Sequence, residues 1–151
     1  PMGGDLTQAP KGSKPQFLIA AARDAEGAHL DRIQVVKGWV DATGEARERI
    51  YNVAASDNRR IRANRVRPVG STVDVATATY TNSIGDPELR VVWQDPDFDP
   101  RVAAVYYVRV LEIPTPRWTA FDAAFYNVDM PEHIPMVIQE RAYSSAIWYT
   151  P

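Results

Sequence analysis

The stretch "VAAVYYVRVLEI" (residues 102–113) restricts the fold more than any other part of the chain. Drawn as an extended backbone, it places Ala104, Tyr106, Val108 and Val110 on one side and Val105, Tyr107 and Leu111 on the other. A strand that is apolar on both faces is wetted on neither, so it sits centrally in a sheet or sandwich. The rest of the sequence supplies neighbours of the same kind. "LDRIQVVKGWV" (30–40) is rich in β-branched residues and puts Ile33, Val35 and Trp39 on one face. "ARERIYNVAA" (46–55) follows after "DATGE", whose Gly44 supplies positive φ, and the two runs predict a hairpin. "QFLIAAA" (16–22), "STVDVATATYT" (71–81), "ELRVVW" (88–93) and "AYSSAIWYT" (142–150) complete the strand-like segments. The single helical segment expected is "WTAFDAAFY" (118–126). About seven short strands at turn-punctuated spacing predict an all-β immunoglobulin-like or fibronectin-like β-sandwich with one short helix near 118–126.

Length and charge narrow the class. A chain of 151 residues is most simply one domain, and 45% apolar with 24% charged residues is an ordinary globular mixture. The net charge of −2 speaks against a dedicated nucleic-acid binder. No apolar run reaches the roughly 18 residues of a bilayer span. The absence of cysteine rules out a disulfide scaffold and thiolate metal sites. "PMGG" followed by Pro, Gly, Lys and Ser predicts a linker over residues 1–15 that leads from a preceding domain, with the sandwich over 16–151.

Each chemical motif has a plainer competitor. The two histidines, His29 and His133, lie far apart without a second ligand at metal spacing, and read as surface residues. "DPDFDP" sets Asp95, Asp97 and Asp99 on alternate positions, as an oxygen-rich Ca²⁺ loop can begin. Pro100 and Tyr106, however, stand where an EF-hand needs glycine and glutamate. An Asp-Pro turn is the preferred reading. "NRRIRANRVRP" carries Arg59, Arg60, Arg62, Arg65 and Arg67, a cluster able to bind phosphate or sulfate, but it has no aromatics and reads first as a solvated connection. There is no G-x-S-x-G, and Ser144-Ser145 has no nearby histidine, so nucleophilic acyl chemistry finds no support.

"EIPTPRWTAFDAAFY" (112–126) is the most pointed segment. Pro114 and Pro116 remove two backbone donors and keep the chain extended, so Arg117 and Trp118 are presented stiffly. Arg and Trp are the residue types enriched at interface hot spots. The competing expectation is that Trp118 caps the sandwich core while Arg117 pairs with Asp122 or Glu140. Arg117, Trp118, Asp122, Glu140 and Arg141 are the candidate interdomain or ligand contacts.

"GWVDATGE", "VDVATATYTNSIG", "WQDPDFDP", "YYVRVLEIPTPRWTAFDA" and "IQERAYSSAIWYTP" together resemble the C-terminal part of a bacterial family named domain of unknown function 3604. In that family a PHP-type (polymerase-and-histidinol-phosphatase-like) metallohydrolase core precedes a β-rich tail, and the resemblance runs from "PMGGDL" to "IWYTP". It implies a parent protein that is a metal-dependent hydrolase, acting on phosphate or sulfate esters and located in the periplasm or secreted. It also implies a divalent metal held by residues before Pro1. No catalytic, cofactor or metal residue is carried over, because nothing here matches those motifs. The terminal "YYVRVLEIP…RAYSSAIWYT" is similar to the closing strand pair of immunoglobulin-like tails on related metallohydrolases.

The expectation is therefore a non-catalytic accessory domain that packs on, or walls, its own N-terminal catalytic domain. The alternative is an independent binding module for carbohydrate or an anionic ligand, with Trp39, Trp93 or Trp148 as a platform. A small enzyme in its own right is the weakest reading, and nothing in the sequence sets an oligomeric state. Exposure of the four tryptophans separates the first two readings.

Overall fold

In the computed structural model, residues 1–7 and 12–151 are described. Ten strands and one helix follow in chain order: β1 (Asp5–Thr7), β2 (Gln16–Ala22), β3 (Leu30–Val40), β4 (Ala46–Ala55), β5 (Glu88–Gln94), β6 (Ala104–Glu112), β7 (Thr115–Pro116), α1 (Trp118–Tyr126), β8 (Val137–Ile138), β9 (Arg141–Tyr143) and β10 (Ile147–Thr150). The main sheet has the order β1-β10-β6-β3-β4, with β9 also paired to β6. As its two-sided apolar pattern requires, β6 lies inside the sheet, with β3 on one flank and β9 and β10 on the other. The β3–β4 hairpin pairs Val40 with Ala46 next to its loop, where Gly44 has φ +84°.

A second layer consists of β2 and β5, antiparallel from Gln16↔Gln94 to Ala22↔Glu88. Phe17, Ile19 and Ala21 of β2, with Leu89, Val91 and Trp93 of β5, face the main sheet and meet Ile33, Val35, Tyr106 and Tyr149 there. Leu18 and Val92, one position out of phase and paired across the strands, face outward. The aromatic centre is continuous: Phe17 lies 5.0 Å from Tyr106 and 5.8 Å from Trp93, and Tyr51 lies 5.0 Å from Trp93 between ring centroids. The architecture is an all-β, sandwich-like fold with one short helix.

Three strand expectations change. Residues 71–81 form no strand, despite their valine–threonine alternation. Asp74 and Thr79 make an isolated bridge, and the Asp74 carboxylate accepts the Ala76 and Thr77 N–H groups, closing a turn. Thr72 bonds Thr81 in the same local way. The short Asp74 side chain gives the N–H groups just after it a local acceptor, and no described strand pairs with the segment.

The segment 142–150 is two strands rather than one. Val108 N–H donates to Ser144 Oγ, Ser144 N–H donates to the Val108 carbonyl, and Ser144 O–H donates to Ser145 O. The hydroxyl thus takes a ladder position, and β9 and β10 divide there. Within the stretch expected as a linker, Asp5–Thr7 pair in parallel with Trp148–Thr150 of β10. The part of that linker at 8–11 lies outside the described residues.

The free edge of β4 is covered by one side chain. Asn64 Oδ1 accepts Asn52 N–H at 2.7 Å, its Nδ2 donates to Ile50 O at 2.6 Å, and its carbonyl accepts Asn52 Nδ2 at 2.7 Å. Asn64 imitates a neighbouring strand over one repeat, which blunts an edge that would otherwise recruit another chain. It also sits at φ +62°, which asparagine tolerates better than alanine. Asn64→Ala is expected to cost about 1–2 kcal/mol, from lost hydrogen bonds and left-handed backbone. Urea unfolding measures the loss, and an unchanged midpoint would show that Asn64 is dispensable.

Candidate functional site

The "PTPRW" segment is rigid for reasons beyond its prolines. β7 pairs with β8 through Thr115↔Ile138 and Pro116↔Val137, and Arg117 N–H donates to Met136 O at 2.9 Å. Helix α1 starts directly at Trp118, with Arg117 in extended conformation and no side-chain cap. Thr119 and Ala120 anchor it: both are buried, and Thr119 O–H donates to Pro135 O at 2.6 Å. The helix ends where Asn127 turns left-handed and the Val128 N–H returns to Ala123 O.

The opposite face of this helix carries its large apolar side chains. Trp118, Phe121 and Phe125 fall at spacings of three and four, on one face. They are 63%, 52% and 82% exposed, and Tyr126 and Val128 are exposed next to them. The Arg117 guanidinium lies over the Trp118 ring, 5.5 Å from its centroid, and holds the indole in place. Trp118 therefore does not cap the core. Arg117 makes no ion pair among the described residues, either with Asp122 or with Glu140. Cation–π contact with its sequence neighbour took the place of the expected salt bridge.

The other candidates fall in two places. Asp122 is half-buried on α1, whereas Glu140 and Arg141 lie at the end of β6, where the Glu112 N–H donates to Glu140 O. Burial, then the Glu140 and Asp24 charges, hold the Glu112 carboxyl above its ordinary pKa. Of the tryptophans, Trp39 and Trp93 pack on the core while Trp118 and Trp148 are exposed, so the four rings do not form one platform.

The "DPDFDP" turn is an internal polar centre that the sequence did not announce. The Asp95 carboxylate is completely buried. It accepts Lys37 Nζ at 2.5 Å and Tyr106 O–H at 2.7 Å on Oδ2, and Asp97 N–H at 2.9 Å on Oδ1. Lys37 also donates to Asp97 O and lies 5.5–5.7 Å from the Trp39 and Tyr106 ring centroids. The Asp97 carboxylate takes Tyr51 O–H and Arg49, and Asp99 takes Arg101, which holds its carboxyl down at about pKa 2. Burial first, then bonds to these carboxylates, push the Tyr51 and Tyr106 phenols well above their usual range, so both remain donors. The signal for this centre was Lys37, a charge on the apolar face of β3 between Val35 and Trp39.

The arginine-rich connection divides in function. Arg59 is structural: its Nη2 bonds Asp31 Oδ1 and O as well as Ser56 Oγ, and its Nη1 bonds Arg67 O. Arg60, Arg62, Arg65 and Arg67 make no ion pair among the described residues. His29 is half-buried with Nδ1 3.1 Å from Ile84 O, and His133 is exposed. Among the described residues no group of three or more His, Cys, Asp or Glu is placed to hold a metal ion. No described helix is long and apolar enough to cross a membrane.

No curated protein and no solved structure matches the chain. A family model does, over residues 1–151, and its description is "Protein of unknown function (DUF3604)". With every residue of the sequence inside that match, the chain belongs to the DUF3604 family.

Proposed function

We propose that this chain is a non-catalytic accessory β-domain of a metal-dependent hydrolase, docked on its own catalytic domain through Arg117, Trp118 and the outer face of α1. The observation that carries the proposal is the helix turned outward: small Thr119 and Ala120 are buried while Trp118, Phe121 and Phe125 face solvent. A surface helix normally buries its apolar stripe, so an exposed one marks a contact with something else. The prolines and the β7–β8 pairing fix its position, which reduces the ordering cost of an interface.

The metal chemistry implied by the resemblance is assigned to that other domain. The carboxylates of the "DPDFDP" turn are already met by Lys37, Arg49 and Arg101, so they do not fit a metal site. The binding-module alternative has less support, because Trp39 and Trp93 pack against the core and leave Trp148 as the one exposed ring of its three.

The test uses the polypeptide that carries both domains. Trp118→Ala combined with Phe125→Ser is expected to weaken docking by about 2 kcal/mol or more, the scale of a truncated hot-spot aromatic. Thermal stability and hydrolytic activity of the two-domain protein should fall together. In the 151-residue chain alone the same substitutions should leave unfolding unchanged, since both rings already face solvent. Wild-type stability and activity in the two-domain variant would refute docking through this face.

A further inference from the structure

We propose that the cleft between the arginine-rich connection and the outer face of the main sheet binds a tetrahedral oxyanion, phosphate or sulfate, with Arg32 and Arg65 as its cationic clamp. The inference is independent of the α1 docking face. The cleft has a volume of about 810 Å³ and lies beside a second cavity of about 740 Å³ that shares Arg65 and Val66 with it.

Gln34 and Asn52 line the cleft and are held in a ladder of polar side chains that runs across three strands. Arg109 Nε donates to Gln34 Oε1 at 2.8 Å, Gln34 Nε2 donates to Asn52 Oδ1 at 2.9 Å, and Asn52 is held by Asn64. These bonds leave that lining ordered before any ligand arrives, so little entropy remains to be lost on binding.

The walls carry uncompensated positive charge. Asp31 is the carboxylate of the cleft, and it is saturated: Oδ1 takes Arg59, and Oδ2 takes Arg32 Nη1 at 2.6 Å and Gln139 Nε2 at 3.0 Å. One carboxylate thus answers two guanidinium groups. Arg65 has no acidic partner among the described residues, nor do Arg60, Arg62 and Arg67 on the neighbouring rim.

Arg32 is the decisive residue. Its Nε is buried with no hydrogen-bond partner, and Nη1 is the nitrogen that Asp31 engages. A buried charged donor without an acceptor is costly, and the Nε–Nη2 edge of a guanidinium matches two oxygens of a tetrahedral oxyanion. A phosphate or sulfate that reaches this edge supplies Nε with the acceptor it lacks, on the side of the guanidinium that Asp31 does not engage. Arg65, across the cleft, supplies the second charge. Lysine lacks the planar fork and could not replace Arg32 in that role.

The experiment titrates the 151-residue protein with inorganic phosphate and, separately, sulfate, at an ionic strength held constant with chloride. Backbone amide chemical shifts are the readout. Saturable shifts are expected around Arg32, Asn52, Arg65 and Gln139. Arg65→Gln, at an exposed position, should weaken binding about tenfold or more, and Arg32→Lys should do the same while preserving charge. Arg101→Gln, whose native partner is Asp99, is the control and should bind as wild type. If Arg32→Lys fails to fold, Arg65→Gln decides alone. Absence of saturation, or wild-type affinity in Arg65→Gln, would overturn the proposal. So would binding only of a long polyanion with no response to phosphate or sulfate, which would assign the surface to an acidic macromolecule instead.

Discussion

Asp95→Ala should lower the unfolding free energy of this domain by about 3–5 kcal/mol, the cost of removing one partner from a buried ion pair. Three groups lose their acceptor at once: Lys37 Nζ, Tyr106 O–H and the Asp97 N–H. The Lys37 side chain is only 7% exposed, with its ammonium held between the Asp95–Asp97 turn and the Tyr106 ring. Its one remaining acceptor is the Asp97 carbonyl, at 2.9 Å. Against a total stability of roughly 5–15 kcal/mol for a domain of this size, the loss is a large fraction.

The effect should be strongly non-additive. Lys37→Met removes the stranded charge, so Asp95→Ala with Lys37→Met is expected to be less destabilised than the sum of the two single changes. Urea unfolding of all four proteins measures the coupling. Simple additivity would mean that the Lys37–Asp95 pair contributes nothing specific.

Gly85→Ala is expected to be of similar severity, about 3–5 kcal/mol from left-handed strain and overpacking together. Gly85 has φ +76°, and a Cβ there would stand 2.6 Å from Ile113 Cγ2, 2.8 Å from His29 Cβ and 2.9 Å from Leu30 O. Ile113 is fully buried and Leu30 O accepts the Asp86 N–H, so neither can yield cheaply. Gly85 N–H also donates to Asp57 Oδ2, which ties the start of the arginine-rich connection to this turn. Gly44→Ala is the matched control. Its φ of +84° is similar, but nothing lies within 4 Å of the added methyl. It should cost about 1–2 kcal/mol from backbone strain alone. Equal thermal shifts for the two variants would show that the contacts around Gly85 are not responsible.

Much of the architecture was legible because its cause is local. Alternation located β3 and β4, apolar runs located β2 and β6, all closely, and the run 118–126 matches α1 residue for residue. The same rule misread 71–81, where alternation was real but no partner strand was present and Asp74 turned the chain instead. Of the candidate contacts, Arg117 and Trp118 stand together on one stiff element, but Asp122 and Glu140 do not pair with Arg117. The Asp31–Arg59 and Lys37–Asp95 pairs went unseen, since they join residues 28 and 58 positions apart.

From the amino-acid order alone came the all-β class, the central position of the 102–113 strand, and the stiffness of the proline-flanked Arg117–Trp118 step. Each follows from side-chain alternation or a locked φ, properties that a residue carries with its immediate neighbours. Only the tertiary structure decided that α1 turns its aromatics outward, that Lys37 and Asp95 neutralise each other inside the core, and that Arg32 and Arg65 face one cleft. Those outcomes depend on which distant groups share a low-dielectric or enclosed space, and packing, not local pattern, brings them together.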